Sequence, residues 1–181
     1  MEKQIPLFSG LTPTAAKPKP PAPAVVKHPI NIFIDGAARG NPGPAGAGIH
    51  GVYDGNVVLA QGIFLGEKTN NQAEYLALLL ALLFIEKLFE DKKIPKAPLH
   101  FFSDSELLVK QMNGIYKMKN EHLKALKIGI DHLLKSHSHK FTHVRREKNK
   151  DADALANLGV DSRKKIPTRF EKFLSDYGLH F

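Results

Sequence analysis

Four acidic residues, Asp35, Glu74, Asp104 and Asp153, stand where a carboxylate could do chemistry. Asp35 and Asp104 each end a short β-rich run, whereas Glu74 and Asp153 fall in the first turns of two predicted helices. If the two strands are parallel neighbours, their carboxyl ends lie side by side, where open α/β sheets bind their ligands. The pattern therefore predicts that the four carboxylates meet at one edge of a sheet.

Grouped carboxylates without His or Cys are typical of Mg²⁺ or Mn²⁺ sites, because these hard cations prefer oxygen ligands. Two such ions roughly 3.5–4 Å apart can clamp both the attacking and the leaving oxygen of a phosphodiester. Each acid also has a structural interpretation, since a strand-end Asp can cap a helix and an acid early in a helix favours the helix dipole. The prediction of a metal site therefore depends on the four acids coming together.

The elements that position these acids follow from hydrophobic periodicity and turn residues. Asp54-Gly55-Asn56 predicts a hairpin turn, and Pro95 and Pro98 are expected to end the first helix. The order βββαβααβα predicts a mixed α/β sheet with helices packed on it. The predicted strands cover residues 30–34, 46–53, 57–65, 99–102 and 140–145, and the predicted helices cover about 70–91, 105–112, 121–136 and 151–159.

A proline-rich stretch, residues 11–29, favours extended polyproline II conformation and predicts a semi-rigid linker. We therefore divide the chain into an N-terminal peptide with linker at 1–29, a folded domain at 30–161 and a basic tail at 162–181.

The tail has the spacing of an amphipathic helix, for which Thr168 is a possible N-cap. We expect this helix to pack on the domain; a dimer or partner contact is the alternative. Its apolar positions are Phe170, Phe173, Leu174 and Tyr177.

The net charge of +8 indicates an anionic partner. Segments 1–30 and 162–181 each carry +3, which leaves only +2 for the middle of the chain. The chain has no cysteine, which excludes disulfides and cysteine nucleophiles. Its longest apolar run, Tyr75 to Ile85, is too short to cross a bilayer, and the first residues lack an apolar signal core. We expect a cytoplasmic protein without membrane contact.

Five sequence pieces occur in an order that resembles the type 1 ribonuclease H family. They are Ile34-Asp35-Gly36, Arg39-Gly40-Asn41-Pro42-Gly43-Pro44-Ala45-Gly46, Thr69-Asn70-Asn71-Gln72-Ala73-Glu74, Ser103-Asp104-Ser105 and Asn149-Lys150-Asp151-Ala152-Asp153-Ala154-Leu155-Ala156. The resemblance covers about residues 30–160. It implies a mixed five-stranded sheet with helices on both faces, and an endonuclease that hydrolyses the RNA strand of RNA–DNA hybrids to 5′-phosphate and 3′-hydroxyl ends.

The resemblance also implies roles for individual residues. Asp35, Glu74, Asp104 and Asp153 match the metal-binding carboxylates, which would hold two Mg²⁺ ions, with Mn²⁺ as a substitute. Asp151 should face away from that site, because two residues on a helix are about 200° apart. The substrate-binding positions are Gly36, Asn41, Thr69, Asn71 and Gln72.

Among these positions, Asn41, Asn71 and Gln72 match minor-groove contacts that would read 2′-hydroxyls of the RNA strand. Thr69 matches a position near a DNA-strand phosphate. Simple helix capping is the structural alternative for Asn70-Asn71.

Two features of the family pattern are missing. Many members have a Gly- and His-containing loop before the last helix, but the segment 144–149 has no His. Arg146 or Glu147 could partly replace that group, whereas we interpret His143 as a strand-end polar residue. Some members also insert a basic helix for which 113–120 leaves no room, so the chain looks like a compact prokaryotic form.

Two other functions stay open as alternatives: a hybrid-binding module without catalysis, and another nuclease built on the same fold. An assay that shows metal-dependent cleavage would exclude the first alternative. The Asn and Gln residues that match 2′-hydroxyl contacts argue against the second. A nucleotide-binding loop at 40–51 is disfavoured, because that stretch lacks the Gly-Lys-Ser/Thr ending of a P-loop.

The N-terminal residues Gln4-Ile5-Pro6-Leu7-Phe8 look like the peptide by which many bacterial replication proteins dock on the sliding clamp. Leu7 and Phe8 would fill an apolar pocket while Gln4 binds at its rim. The alternatives are that this peptide packs back on the domain or has no partner. We expect the protein to be a monomer.

Overall fold

The structure, a computed structural model, describes residues 28–179; the clamp-like residues Gln4, Leu7 and Phe8 lie outside this range. Its strands are β1 (Ile30–Ala38), β2 (Gly43–Tyr53), β3 (Asn56–Lys68), β4 (Leu99–Ser103) and β5 (His139–His143). Its α-helices are α1 (Asn70–Glu90), α2 (Glu106–Met112), α3 (Glu121–Leu134), α4 (Lys150–Ser162) and α5 (Thr168–Asp176), with a 3-10 turn at Arg146–Lys148.

The strands form one mixed sheet in the order β3-β2-β1-β4-β5. β1, β2 and β3 are antiparallel neighbours, whereas β4 is parallel to both β1 and β5. Adjacent residues of a strand point to opposite faces of the sheet. Gly36 of β1 pairs with Ala47 of β2, so Gly36 and Gly48 lie on opposite faces, and each meets a different helix. A Cβ at Gly36 would fall 2.2 Å from the backbone nitrogen of Glu74 in α1, and one at Gly48 would fall 1.9 Å from the carbonyl oxygen of Ala152 in α4. The predicted five-stranded sheet with helices on both faces is therefore confirmed.

The predicted hairpin between β2 and β3 is also confirmed. Asp54 and Gly55 both have positive φ, 49° and 75°, which is the backbone of a two-residue turn whose twist suits a β-hairpin.

The first strand is longer than the sequence predicts. We expected it to stop at Asp35, but β1 continues to Ala38 because Gly36, Ala37 and Ala38 pair with Ala47, Gly46 and Ala45 of β2. In the sequence alone, the glycine after Asp35 predicts that the strand ends there. Here the paired neighbour holds the chain extended, so Asp35 lies inside the sheet and is buried.

Helix α1 covers nearly the predicted range, but the residues that begin and end it differ from expectation. Thr69, and neither Asn70 nor Asn71, caps the helix: its hydroxyl accepts from the backbone nitrogen of Gln72, whose side chain accepts from the backbone nitrogen of Thr69 in return. The helix ends at Glu90, before either proline, because Lys92 turns into the left-handed region with φ of 53°.

The tail helix α5 packs on the domain as expected. Phe170 and Leu174 are buried in the core, and the Phe170 ring meets Phe84 of α1 edge to face at 4.9 Å between centroids. The N-cap is Pro167, so the expectation that Thr168 caps this helix is wrong. Among residues 28–179, no helix is long and apolar enough to cross a membrane.

Candidate active site

Three carboxylates converge at the carboxyl ends of the central strands. Asp35 comes from β1, Asp104 directly follows β4, and Glu74 lies one turn into α1. One oxygen from each lies within 4.8 Å of the others. Asp35 and Glu74 are buried, with 6% and 5% of their surfaces exposed, whereas Asp104 is partly exposed. Solvent therefore reaches this group of carboxylates mainly at Asp104.

The approach of α1 to β1 depends on a residue without a side chain. A Cβ at Gly36 would lie 2.2 Å from the nitrogen of Glu74 and 2.3 Å from the carbonyl carbon of Ala73, far inside van der Waals contact. The nearby Gly36 backbone lowers the pKa of the Asp35 and Glu74 carboxyls, which partly offsets the effect of their burial. Gly36 thus brings a helix and a strand close enough for their acids to share one site.

The electrostatics of the cluster are unfavourable without a cation. Burial, followed by the charges of Asp104 and Asp153, raises the pKa of Asp35 from 3.8 to about 7. Burial, followed by the charges of Asp35 and Asp104, raises the pKa of Glu74 well above its ordinary value. Buried carboxylates this close resist ionising together unless a positive charge neutralises them.

The donor set fits a hard divalent cation. All three ligands are carboxylate oxygens, and the buried Oε2 of Glu74 has no hydrogen-bond partner within the described residues. Buried polar atoms are nearly always satisfied, so an unpartnered carboxylate oxygen on a residue grouped with two other acids is an arrangement that a metal ion would complete.

The fourth acid stands slightly apart from this group. Asp153 lines the same 430 Å³ cleft as the other three, but its Oδ1 accepts a 2.8 Å bond from Nη2 of Arg146. Asp151 pairs at 3.4 Å with His50 and does not line the cleft, as its position on the helix predicts. The structure therefore brings three acids into contact range and holds the fourth at the rim by an ion pair.

Two auxiliary candidates occupy different places. Arg146 lines the cleft and bonds to Asp153, whereas Glu147 lies outside that cleft and has Arg145 as a 3.9 Å neighbour. His143 is the last residue of β5, and its Nε2 lies 3.2 Å from the backbone oxygen of Asp104.

The residues expected to bind substrate surround the start of α1. Oδ1 of Asn41 accepts a 3.1 Å bond from the backbone nitrogen of Asn70, which joins the β1–β2 loop to the helix. Thr69 and Gln72 form the capping box, and Asn71 is exposed. Of the expected substrate residues, only Gly36 also lines the carboxylate cleft.

Sequence reasoning missed two polar residues of the site: Asn157, which lines the cleft and donates to the backbone oxygen of Asp153, and Asn149. Asn149 is buried beside Asp104 and donates to its Oδ1 at 3.0 Å. Its place just before a helix predicts an ordinary N-cap, so the local pattern gave no sign of this bond.

Comparisons with known proteins agree with this fold. A family model described as reverse transcriptase-like matches residues 33–159. The ribonuclease HI of Halobacterium salinarum is 37% identical over 137 residues, which cover 73% of this chain and 64% of that protein. The ribonuclease H of Nitrosomonas eutropha is 34% identical over 153 residues, which cover 74% of this chain and 90% of that protein.

Among solved structures, the crystal structure of LC11-RNase H1 in complex with an RNA/DNA hybrid shares 40% identity and a TM-score of 0.67, and the match covers 74% of this chain and 97% of that one. The chain belongs to the type 1 ribonuclease H family. It spans less than two thirds of the first relatives: 64% of the Halobacterium protein and 36% of three mycobacterial proteins.

Proposed function

We propose that this protein is an endonuclease that hydrolyses the RNA strand of RNA–DNA hybrids. The observation that carries the proposal is the convergence of Asp35, Glu74 and Asp104 within 4.8 Å, with a buried oxygen of Glu74 that lacks a partner in the described chain. The likeness to LC11-RNase H1, a protein solved in complex with an RNA/DNA hybrid, supports the choice of substrate.

The proposed metal ligands are Asp35, Glu74, Asp104 and Asp153, which would hold two Mg²⁺ ions or, as a substitute, Mn²⁺. Bound ions of this kind activate a water and stabilise the charge that develops on a phosphodiester. Arg146 holds Oδ1 of Asp153 in an ion pair, so Asp153 would reach a cation through Oδ2, or through both oxygens after the ion pair opens. By family resemblance, the products carry 5′-phosphate and 3′-hydroxyl ends.

The residues around the start of α1 would recognise the hybrid. We assign the minor groove to Asn41, Asn71 and Gln72, where amide groups can pair with the 2′-hydroxyls that distinguish RNA from DNA. Thr69 would lie near a DNA-strand phosphate, and Gly36 would line the approach to the scissile bond. The bond from Asn70 to Asn41 supports this assignment, because it fixes two recognition segments against each other.

We also assign an auxiliary role at the cleft to Arg146 and Glu147, in place of the missing loop His. Arg146 is the stronger candidate, because its exposed guanidinium lies beside the acids and can reach an incoming phosphate. Glu147 belongs to the same turn and has Arg145 as its charged neighbour.

The test is a cleavage assay on a labelled hybrid, duplex DNA and duplex RNA, each with and without Mg²⁺. We expect cleavage of the hybrid alone, only with Mg²⁺, and its loss in Asp104→Asn while hybrid binding survives. Asp151→Asn is the matched control, because that acid lies outside the cleft. Binding without cleavage by the wild type would indicate a hybrid-binding module, and cleavage of duplex DNA would indicate another nuclease on this fold.

We further propose that Gln4, Leu7 and Phe8, which lie outside the described residues, dock on a sliding clamp. A tether of this kind raises the effective concentration of a nuclease at its substrate even when the peptide binds weakly. Titration of a labelled peptide of residues 1–12 with the cognate clamp tests this, and binding that is unaffected by Leu7→Ala with Phe8→Ala would exclude it. The monomeric state and the cytoplasmic location stay predictions.

A further inference from the structure

Asn149 makes two hydrogen bonds that connect the two central strands at the site. The side chain is 1% exposed, and its Nδ2 donates to the backbone oxygen of Ile34 and to Oδ1 of Asp104, both at 3.0 Å. Ile34 directly precedes Asp35. A single buried amide therefore bonds to the backbone beside one carboxylate and to the side chain of another.

The orientation of this amide is fixed by its partners. A backbone carbonyl and a carboxylate oxygen only accept hydrogen bonds, so the nitrogen of Asn149 must face them. Its Oδ1 is buried and has no partner within residues 28–179. An unpaired buried amide oxygen destabilises the folded protein, so local stability alone does not account for this orientation of the amide.

Asn149 also lacks the side-chain capping bond that its position predicts. It is the N-cap of α4, and its backbone oxygen accepts a 3.0 Å bond from the nitrogen of Asp153. An Asn at this position normally turns its side-chain oxygen to a backbone nitrogen of the first turn, which stabilises the helix. In the described chain that side chain makes no capping bond and points to Asp104 instead.

We propose that Asn149 is a positioning residue for the metal-binding carboxylates, an inference that rests on the metal site proposed above. The backbone oxygen of Asn149 accepts from the nitrogen of Asp153 in the first turn of α4, and its side-chain amide donates to the backbone oxygen of Ile34, the residue before Asp35. Through its amide it holds Oδ1 of Asp104 and leaves Oδ2 of that carboxylate free of this bond for a cation.

The expected effect is on metal affinity. A carboxylate ligand that loses its hydrogen-bonded partner can rotate, and the loss of such outer partners typically weakens metal binding by about 10–100-fold. Asn149→Ala should therefore weaken Mg²⁺ binding by at least about tenfold.

Calorimetric titration of the full-length protein with Mg²⁺ measures this directly. Asn113→Ala is the matched control, because its Nδ2 donates at 3.3 Å to the backbone oxygen of Phe141, a strand carbonyl outside the cleft. Both variants lose a bond from an amide to a strand carbonyl, but only Asn149→Ala should lose metal affinity. Affinity within twofold of the wild type in Asn149→Ala would overturn the inference, and no Mg²⁺ binding by the wild type would refute the proposed metal site and this inference with it.

A second measurement does not require Asn149→Ala to fold. In the ¹⁵N-labelled protein, the side-chain amide signal of Asn149 should shift when Asp104 is replaced by Asn, because its charged acceptor is then lost. Asp151→Asn should leave that signal unmoved. An Asn149 signal that is the same in Asp104→Asn and in the wild type would show that the amide does not hold Asp104.

Discussion

Replacing Asp35 with Asn should make the metal-free protein more stable. The rise of the pKa of this buried carboxyl from 3.8 to about 7 means that folding favours its protonated form. Ionisation of Asp35 therefore lowers the free energy of unfolding. This loss is absent below about pH 4, grows as the pH rises, and is complete above the pKa of the folded protein. An amide of the same shape carries no charge and removes this cost.

The size of the effect follows from the two pKa values. A rise from 3.8 to about 7 corresponds to about 4 kcal/mol, since each tenfold change in an equilibrium is about 1.4 kcal/mol. This is an upper limit, because water entry and relaxation relieve part of the repulsion. We expect Asp35→Asn to gain about 1–3 kcal/mol at pH 8 without metal, or several degrees in melting temperature at roughly 2–4 °C per kcal/mol.

Thermal melts of both proteins in EDTA at pH 8 and pH 5, and with Mg²⁺ at pH 8, provide the measurement. The advantage of Asp35→Asn should shrink at pH 5, where the wild-type carboxyl is mostly protonated, and with Mg²⁺, which stabilises the wild type by binding its folded state. Asp151→Asn controls for the removal of an exposed charge. A lower melting temperature for Asp35→Asn in EDTA at pH 8 would refute the reasoning.

Three further predictions follow from contacts around the site and core. Gly36→Ala should cost about 3 kcal/mol or more in chemical denaturation, because its Cβ would overlap the backbone of Glu74; a loss below 1 kcal/mol would show that α1 can shift. Arg146→Gln should raise Mg²⁺ affinity in calorimetry about two- to fivefold by releasing Asp153, and weaker binding would show that Arg146 assists the metal. Phe170→Ala should lower stability by about 3 kcal/mol, and unchanged melting would mean that α5 contributes nothing to the core.

The sequence predicts the positions of the carboxylates well because each depends on a local pattern. Asp104 follows an apolar run, and Glu74 and Asp153 lie early in periodic helices, so their places do not require knowledge of distant partners. The parallel pairing of β1 with β4 then brings the strand-borne acids together.

Features set by distant contacts were not predictable in the same way. The extension of β1 beyond Asp35 comes from pairing with β2, and the direction of the Asn149 amide comes from acceptors on β1 and β4. The bond from Arg146 to Asp153 depends on how the 3-10 turn folds back on α4, which residue types alone do not determine.

The burial of α1 has a consequence for the timing of site formation. Every residue from Ala73 to Ile85 is buried, so this helix has no solvated face over that stretch. A segment of this kind cannot unfold locally without exposing the core, and its amides should exchange with solvent only through global opening. Because Glu74 belongs to this stretch, the site cannot lose that ligand by local unfolding while the remainder of the domain stays folded.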